Sequence, residues 1–385
     1  MKPEVLIFID WYLPAFKAGG PIQSVANLVA HLGSDLNISI VTSDRDLGDS
    51  AAMPGLELNQ WIEKDKHRII YLVPEQQTAM IFRAIFKEKS YDYVYLNSLF
   101  SVKFTLLPIW EACHFNCQII LAPRGMLGLG ALNIKKAKKK LFLLTLRVSG
   151  YSKKICWHAT SEPEVQEIKK NVGENVAIKL ASNFSAINSV SFRNKEKRSN
   201  SLNLFFLARI AEKKNLKDAI KFLKELNAEI KVKFTIIGPI GEEIYWKECQ
   251  EFISQLPASI TVDYVGPIPN KRLSGYLAEQ HFLLLPTFHE NFGHVFIESW
   301  INGCPVIISD QTPWRNLEEK GIGWDISLAD ASKFIEAIEK AASLSQEAYS
   351  RMSKAAFDFA KSFTENPAVQ EANRNLFNLP SLDKN

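Results

Sequence analysis

At 385 residues, with 46% hydrophobic and 23% charged side chains, the chain is too long for one ordinary core and has the make-up of a soluble protein of two domains. A net charge of +4 does not imply nucleic acid, and no recognised nucleic-acid-binding motif accompanies the basic residues. Five cysteines without paired metal-ligand spacing (Cys113, Cys117, Cys156, Cys249, Cys304) are expected to be free thiols in a reducing cytosol.

The run Glu4 to Asp10 reads as a parallel strand buried on both faces. Asp10 cuts the apolar stretch Val5 to Ile9 short and no cleavage site follows, so this is a strand and not a signal peptide. After a turn containing Lys17-Ala18-Gly19-Gly20-Pro21, the spacing of Ile22, Val25, Ala26, Val29 and Leu32 predicts a helix ended by Gly33. The turn lacks the G-x-G-x-x-G fingerprint of dinucleotide binders, which counts against an NAD enzyme. Further strands are expected at Ile38 to Thr42, Ile69 to Val73, Tyr93 to Asn97 and Gln118 to Ala122, with helices between them, giving a doubly wound α/β sheet. Ala122-Pro123-Arg124-Gly125-Met126 follows the last of these. The cluster Lys135 to Lys140 runs into Leu141-Phe142-Leu143-Leu144, and it reads equally as a membrane-surface helix or as a solvated face on a buried one. Ser161, with Glu164 three residues on, forms a capping box. No stretch approaches the roughly 20 apolar residues needed to cross a bilayer.

Polar residues from Ala181 to Ser201, ending in the run RNKEKRSN, mark an exposed boundary. A second α/β unit then begins at Leu202 to Leu207, followed by Arg209 and Lys214, where basic side chains ahead of a helix can reach a phosphate. Phe234 to Gly238 and Val262 to Gly266 read as strands, the latter leading into Pro267-Ile268-Pro269-Asn270. The densest signal is Pro286 to Ile307. A buried strand, Phe282 to Leu285, runs into His289-Glu290-Asn291-Phe292-Gly293, then into a helix carrying Glu298 that stops near Gly303, then into a strand from Pro305. Ligands of open α/β sheets bind at such strand ends, and a helix N-terminus there favours a phosphate. Gly293 lets an anion approach the backbone without a Cβ in the way. Two glutamates repel a bare anion but accept hydrogen bonds from vicinal hydroxyls, so the constellation suggests a phosphate that carries sugars, the alternative being that Glu290 and Glu298 are solvated loop and helix residues. Three helices follow from Ala331, the last around Pro367 to Leu376.

The segment Glu290, Phe292-Gly293, Glu298 and Gly303-Cys304-Pro305-Val306-Ile307 resembles the nucleotide-sugar signature of retaining family 4 glycosyltransferases. The resemblance implies a GT-B fold, two Rossmann-like doubly wound parallel-sheet domains facing a central cleft. Residues 1–183 would form the acceptor domain, 184–200 a linker, 201–363 the nucleotide-sugar domain, and 364–385 a C-terminal helix packing back on the first. It implies that Arg209 and Lys214 neutralise the leaving diphosphate, that Glu290 holds hydroxyls of the transferred sugar, and that Glu298 holds the ribose. Gly238, Ile268, Asn291, Phe292, Gly293, His294 and Val295 would line the donor, and Gly19 and Gly20 would face its diphosphate and the acceptor. Where relatives have Gly after the lysine, this chain has Asn215. Where many have a histidine, it has Arg124, as does a polysaccharide-assembly branch with a P-R-G-M motif. Arg124 would meet a phosphate or an acidic acceptor group, or else form a structural salt bridge.

The implied reaction is transfer of a sugar from a UDP- or GDP-sugar with retention of configuration. Neither a cofactor nor a metal is expected. The acceptor would be lipid-linked, as in O-antigen or capsule assembly, with the protein peripheral on the cytoplasmic face of the inner membrane through Lys135 to Lys140. A catalytically silent membrane-associated subunit of the same fold and a nucleotide-sugar epimerase are the rival readings. The epimerase is disfavoured because such enzymes lack this arginine–lysine and F-G arrangement.

Overall fold

The structure is a computed structural model that describes residues 1–128, 131–132, 136–186 and 191–381. Lys135 of the basic cluster and Asn188 and Ser189 of the polar boundary lie outside the described residues. The chain divides into two compact units, one of Met1–Ile187 with Asn366–Asn385, the other of Asn188–Glu365.

In the first unit, β1 (Glu4–Phe8), β2 (Asn37–Ser43), β3 (Trp61–Glu63), β4 (Arg68–Leu72), β5 (Tyr93–Leu96), β6 (Gln118–Leu121), β7 (Ile155–Ala159) and β8 (Ala177–Leu180) form one sheet in the order β3-β4-β2-β1-β5-β6-β7-β8. All pairings are parallel except that of β3 with β4. Alternation along β1 sends Leu6 and Phe8 into one core and Val5 and Ile7 into the core on the opposite face, which is why the strand reads as a continuous apolar run. The helix Pro367–Leu376 belongs to this unit: Leu376 and Phe377 are buried with Tyr93 and Tyr95, and Arg374 pairs with Asp35 at 2.7 Å.

The second unit holds β9 (Ser201–Leu207), β10 (Lys231–Ile237), β11 (Ile260–Gly266), β12 (Phe282–Leu285), β13 (Val306–Ser309) and β14 (Gly323–Ile326), all parallel, in the order β11-β10-β9-β12-β13-β14. In each unit the chain starts near the middle of the sheet and later reverses direction. The reversal falls between β1 and β5 in the first unit and between β9 and β12 in the second. Those are the two places where loops at strand C-termini diverge and leave room for a ligand.

Four strands go unannounced in the sequence, and one expectation is corrected. Strands β3, β7, β8 and β14 carry no clear pattern, because β3 spans three residues, β8 is a half-exposed edge, and β7 and β14 contain His158 and Asp325. The polar run after residue 190 is not a wholly exposed boundary. Lys195 is buried and donates to Leu277 O at 2.9 Å and Gln280 O at 2.7 Å, while Lys197 is buried and donates to Ala342 O at 2.8 Å. Leu277 and Ala342 lie in the last turns of helices Asn270–Leu277 and Ala331–Ser343, where the macrodipole and unpaired carbonyls favour a cation. Composition alone cannot distinguish such a lysine from a solvated one.

Candidate active site

The second unit's reversal point gathers the side chains that the sequence singles out. The turn after β9 ends at Lys214 and Asn215, and Asn215 takes φ 59°, the left-handed conformation that glycine usually supplies. Its amide donates to Pro286 O at 2.9 Å, and Lys213 O accepts from Phe288 N at 2.9 Å, so this turn and the loop after β12 are stitched together. The stitching brings Lys214 Nζ into an ion pair with Glu290 Oε1, both mostly shielded from solvent. Glu290 N in turn donates to Gln311 O at 2.9 Å, fixing the loop on the segment after β13.

Gly293, at φ 73°, is the N-cap of helix His294–Ile301, and no side chain caps that end. A Cβ here would lie 2.4 Å from the Phe296 ring, so close packing demands glycine as firmly as anion approach does. Trp314 Nε1 donates to Phe292 O at 2.6 Å and its ring meets Phe292 edge-on, and the His294 ring also packs edge-on with Phe292. Trp314 therefore anchors the loop, a role that no spacing in the sequence announces. Val295 and Ile268 are partly buried and pack against the core; Asn291 is half-buried on the loop.

Gly238, at φ 144°, sits where a Cβ would lie 2.0 Å from Ala208 O, and its N–H donates to Gly266 O at 2.9 Å. Arg209 is exposed and its methylenes cover Gly241. Among the described residues it makes no hydrogen bond or ion pair, so its guanidinium is available to an anion. Glu298 is half-buried and accepts from Asn270 Nδ2 at 3.1 Å. Burial pushes its carboxyl above the usual carboxylate range, and the Asn270 bond partly offsets this. Lys214 and Glu290 are thus brought into contact, Gly293 and Glu298 share one helix and its cap, and no direct bond joins Arg209 to any of them.

In the first unit, Gly19 takes φ 66° as N-cap of helix Gly20–Leu32, and a Cβ added there would meet nothing within 4 Å. Phe16 N and Lys17 N, just before it, donate to Asp46 Oδ2 at 2.8 and 3.1 Å. Arg124 also has a left-handed backbone, φ 55°. Its guanidinium donates to Asn97 Oδ1 at 2.7 Å, to Asn183 Oδ1, and to Tyr95 OH at 2.7 Å. These partners are neutral, so the salt bridge held open for Arg124 is not formed among the described residues. Asn97 Nδ2 reaches on to Pro21 O at 2.9 Å, tying Arg124 to the helix start at Gly20. The Ser161 half of the capping box is present, but the Glu164 carboxylate is spent on Gly125 N and on Thr160 N and Oγ1.

Behind Arg124, Tyr95 OH bonds His158 Nδ1 at 2.9 Å, and His158 Nε2 meets Ala181 O at 2.8 Å. A neutral imidazole donates to that carbonyl and accepts from the tyrosine. Burial, with Arg124 adding to it, pushes His158 down to about 3. An unfolded histidine titrates near 6.5, so the folded state binds fewer protons, and stability is complete above that pH and falls as pH drops towards about 3. By pH 5 His158 alone should remove roughly 2 kcal/mol. His281 in the second unit, pushed to about 4 by burial, acts in the same direction. Chemical unfolding of the wild type and His158→Gln at pH 7 and pH 5 checks this; an equal loss in both proteins would contradict it.

Helix Lys136–Val148 buries Leu143 and Leu146 but leaves Leu141, Leu144 and Val148 65%, 56% and 79% exposed. No described helix is long and apolar enough to cross a membrane.

Residues 189–359 match the family model described as Glycosyl transferases group 1. A protein from Klebsiella pneumoniae, described as an uncharacterized 41.2 kDa protein in the cps region, is 25% identical over 217 residues, 54% of this chain and 57% of that protein. The chain thus matches little more than half the length of this curated relative. Among solved structures, sucrose-phosphate synthase from Thermosynechococcus elongatus superposes with a TM-score of 0.69 at 16% identity, covering 98% of this chain and 99% of that one. HepE from Anabaena, in complex with UDP and glucose, gives 0.69 at 14%, covering 97% and 98%. WaaG, a glycosyltransferase involved in lipopolysaccharide biosynthesis, gives 0.68 at 13%, covering 96% and 99%. At such identities the likeness is one of fold. The chain has the GT-B fold, and residues 189–359 carry a Glycosyl transferases group 1 domain.

Proposed function

We propose that the protein is a retaining, metal-independent glycosyltransferase that moves a sugar from a nucleoside diphosphate to an acceptor hydroxyl. The observation that carries this reading is the meeting of Lys214 and Glu290 at the reversal between β9 and β12, beside the uncapped helix start at Gly293. A cation and a helix N-terminus suit the diphosphate, and carboxylates suit hydroxyls. The UDP-bound relative of the same fold supports a nucleotide donor. The donor lies in the second unit, with Glu290 on the transferred sugar and Glu298 on the ribose. The bond from the anomeric carbon to the diphosphate oxygen breaks, and the acceptor oxygen bonds to that carbon. With no protein base among the candidates, the acceptor proton passes to the departing phosphate oxygen, which places attack on the face being vacated and retains configuration. Arg209, Lys214 and the Gly293–His294 backbone stabilise the charge released. Gly19, Gly20 and Arg124 belong to the acceptor-binding unit. Turnover by Lys214→Ala and Glu298→Ala on a panel of UDP- and GDP-sugars tests the assignment, which requires both variants to be impaired.

The acceptor is inferred to be lipid-linked, in surface polysaccharide assembly at the cytoplasmic face of the membrane. Leu141, Leu144 and Val148 share one face of a helix that also carries Lys136, Lys138, Lys140 and Arg147. The cps-region relative and the lipopolysaccharide enzyme of like fold support the pathway. Each lysine near anionic lipid contributes about 1 kcal/mol, so Lys136→Glu/Lys138→Glu/Lys140→Glu should abolish flotation with phosphatidylglycerol vesicles. Flotation unchanged by these reversals would sink the membrane proposal.

A further inference from the structure

Asn270 is the first residue of helix Asn270–Leu277, directly after the turn that ends β11. Glu298 sits on the separate helix His294–Ile301. The one hydrogen bond between them, Asn270 Nδ2 to Glu298 Oε1 at 3.1 Å, joins two segments 28 residues apart. Among the described residues no ion pair reaches Glu298, and Oε2 accepts no hydrogen bond. The carboxylate is therefore held from one side only. Its aim depends on a neutral amide, which donates to Oε1 and leaves the second oxygen for a ligand. An amide suits this task because it fixes the carboxylate without neutralising it, as an arginine or lysine would.

We propose that Asn270 is a positioning residue that fixes the Glu298 carboxylate so that Oε2 accepts from the ribose hydroxyls of the nucleotide, coupling the turn after β11 to ribose recognition. The inference rests on the reading of Glu298 as the ribose-holding group. It makes the turn at Pro267–Asn270 and the helix at Glu298 a single recognition unit. Loosening either end weakens the preference for ribose over 2′-deoxyribose while the diphosphate contacts stay intact. Burial pushes the Glu298 carboxyl up, and the Asn270 amide is the bond that opposes this rise. Without Asn270 the carboxyl titrates at higher pH.

The test compares wild type, Asn270→Ala, Asn270→Ser and Glu298→Gln by calorimetric titration with UDP and GDP and their 2′-deoxy forms. Carboxyl-carbon NMR of the ligand-free protein follows the titration of Glu298. Both Asn270 variants should bind the ribonucleotide about 10-fold more weakly, the loss expected for a hydrogen bond to a charged group. Their ribose preference should shrink, and Glu298 should titrate at higher pH than in the wild type. Wild-type affinity and ribose preference in Glu298→Gln would overturn the ribose reading, and this inference with it. A weakened Glu298→Gln beside Asn270 variants with wild-type affinity, preference and titration would overturn the assignment of Asn270 alone.

Discussion

Lys214→Ala is expected to lower turnover by about 100-fold or more, some 3 kcal/mol of barrier, by analogy with losing one oxyanion-stabilising donor. In the ligand-free protein the ammonium is spent on Glu290, and both groups are largely shielded from solvent. A diphosphate offers it a stronger partner than one carboxylate does, because charge develops on the leaving group as the glycosidic bond lengthens. The substitution has a second effect, since it strands Glu290 without its cation in a partly buried place, a loss that can destabilise the fold. The two effects separate in a cycle with Glu290→Ala. If Lys214 acts on the diphosphate, the double variant turns over more slowly than Glu290→Ala alone, while its melting temperature recovers relative to Lys214→Ala. If the lysine only neutralises Glu290, the double variant turns over no more slowly than Glu290→Ala. Steady-state rates and thermal melts of the four proteins decide between these outcomes.

Gly238→Ala should be the most destabilising of the single substitutions considered. The backbone at φ 144° is one that side chains rarely adopt, and the new Cβ would lie 2.0 Å from Ala208 O, a main-chain atom that cannot move aside. Backbone strain of roughly 1–3 kcal/mol and a comparable overpacking term make about 2–6 kcal/mol in all. For a unit of this size that is a fall on the order of 10 °C in melting temperature. Gly19→Ala is the matched control. Its φ of 66° carries a conformational cost, but nothing lies within 4 Å of the added carbon. Both glycines read from the sequence as close to a ligand. A Gly238→Ala protein that melted like Gly19→Ala would show that the close approach of β10's end to Ala208 is not real.

The alternation of apolar strands and helices was legible because both sheets are parallel and covered on both faces, so their central strands are continuous apolar runs such as Val5 to Phe8 and Phe282 to Leu285. Edge strands lose that signature, which is why Ala177–Leu180 and Trp61–Glu63 pass unnoticed. In the candidate site, Lys214 and Glu290 could be picked out only through the resemblance to the family 4 signature, since by residue type alone each reads equally as a solvated surface charge. Their pairing could not, since it depends on how the loops after β9 and β12 are stitched through Asn215 and Lys213. Arg124 shows the opposite case. Its place after β6 drew notice, yet its three neutral partners come from β5, the loop after it and the segment after β8. Lys195 and Lys197 look solvated in sequence and prove to be buried against helix C-termini, because a lysine's burial is decided by which carbonyls its Nζ can reach.

Where a nucleoside diphosphate settles in the second unit decides between this mechanism and its rivals. A crystal structure of the protein with UDP or GDP tests this most directly. It should show the diphosphate against the backbone N–H groups at Gly293–His294, with Lys214 Nζ turned from Glu290 onto a phosphate oxygen. Phosphates bound elsewhere, with Lys214 still on Glu290, would contradict it.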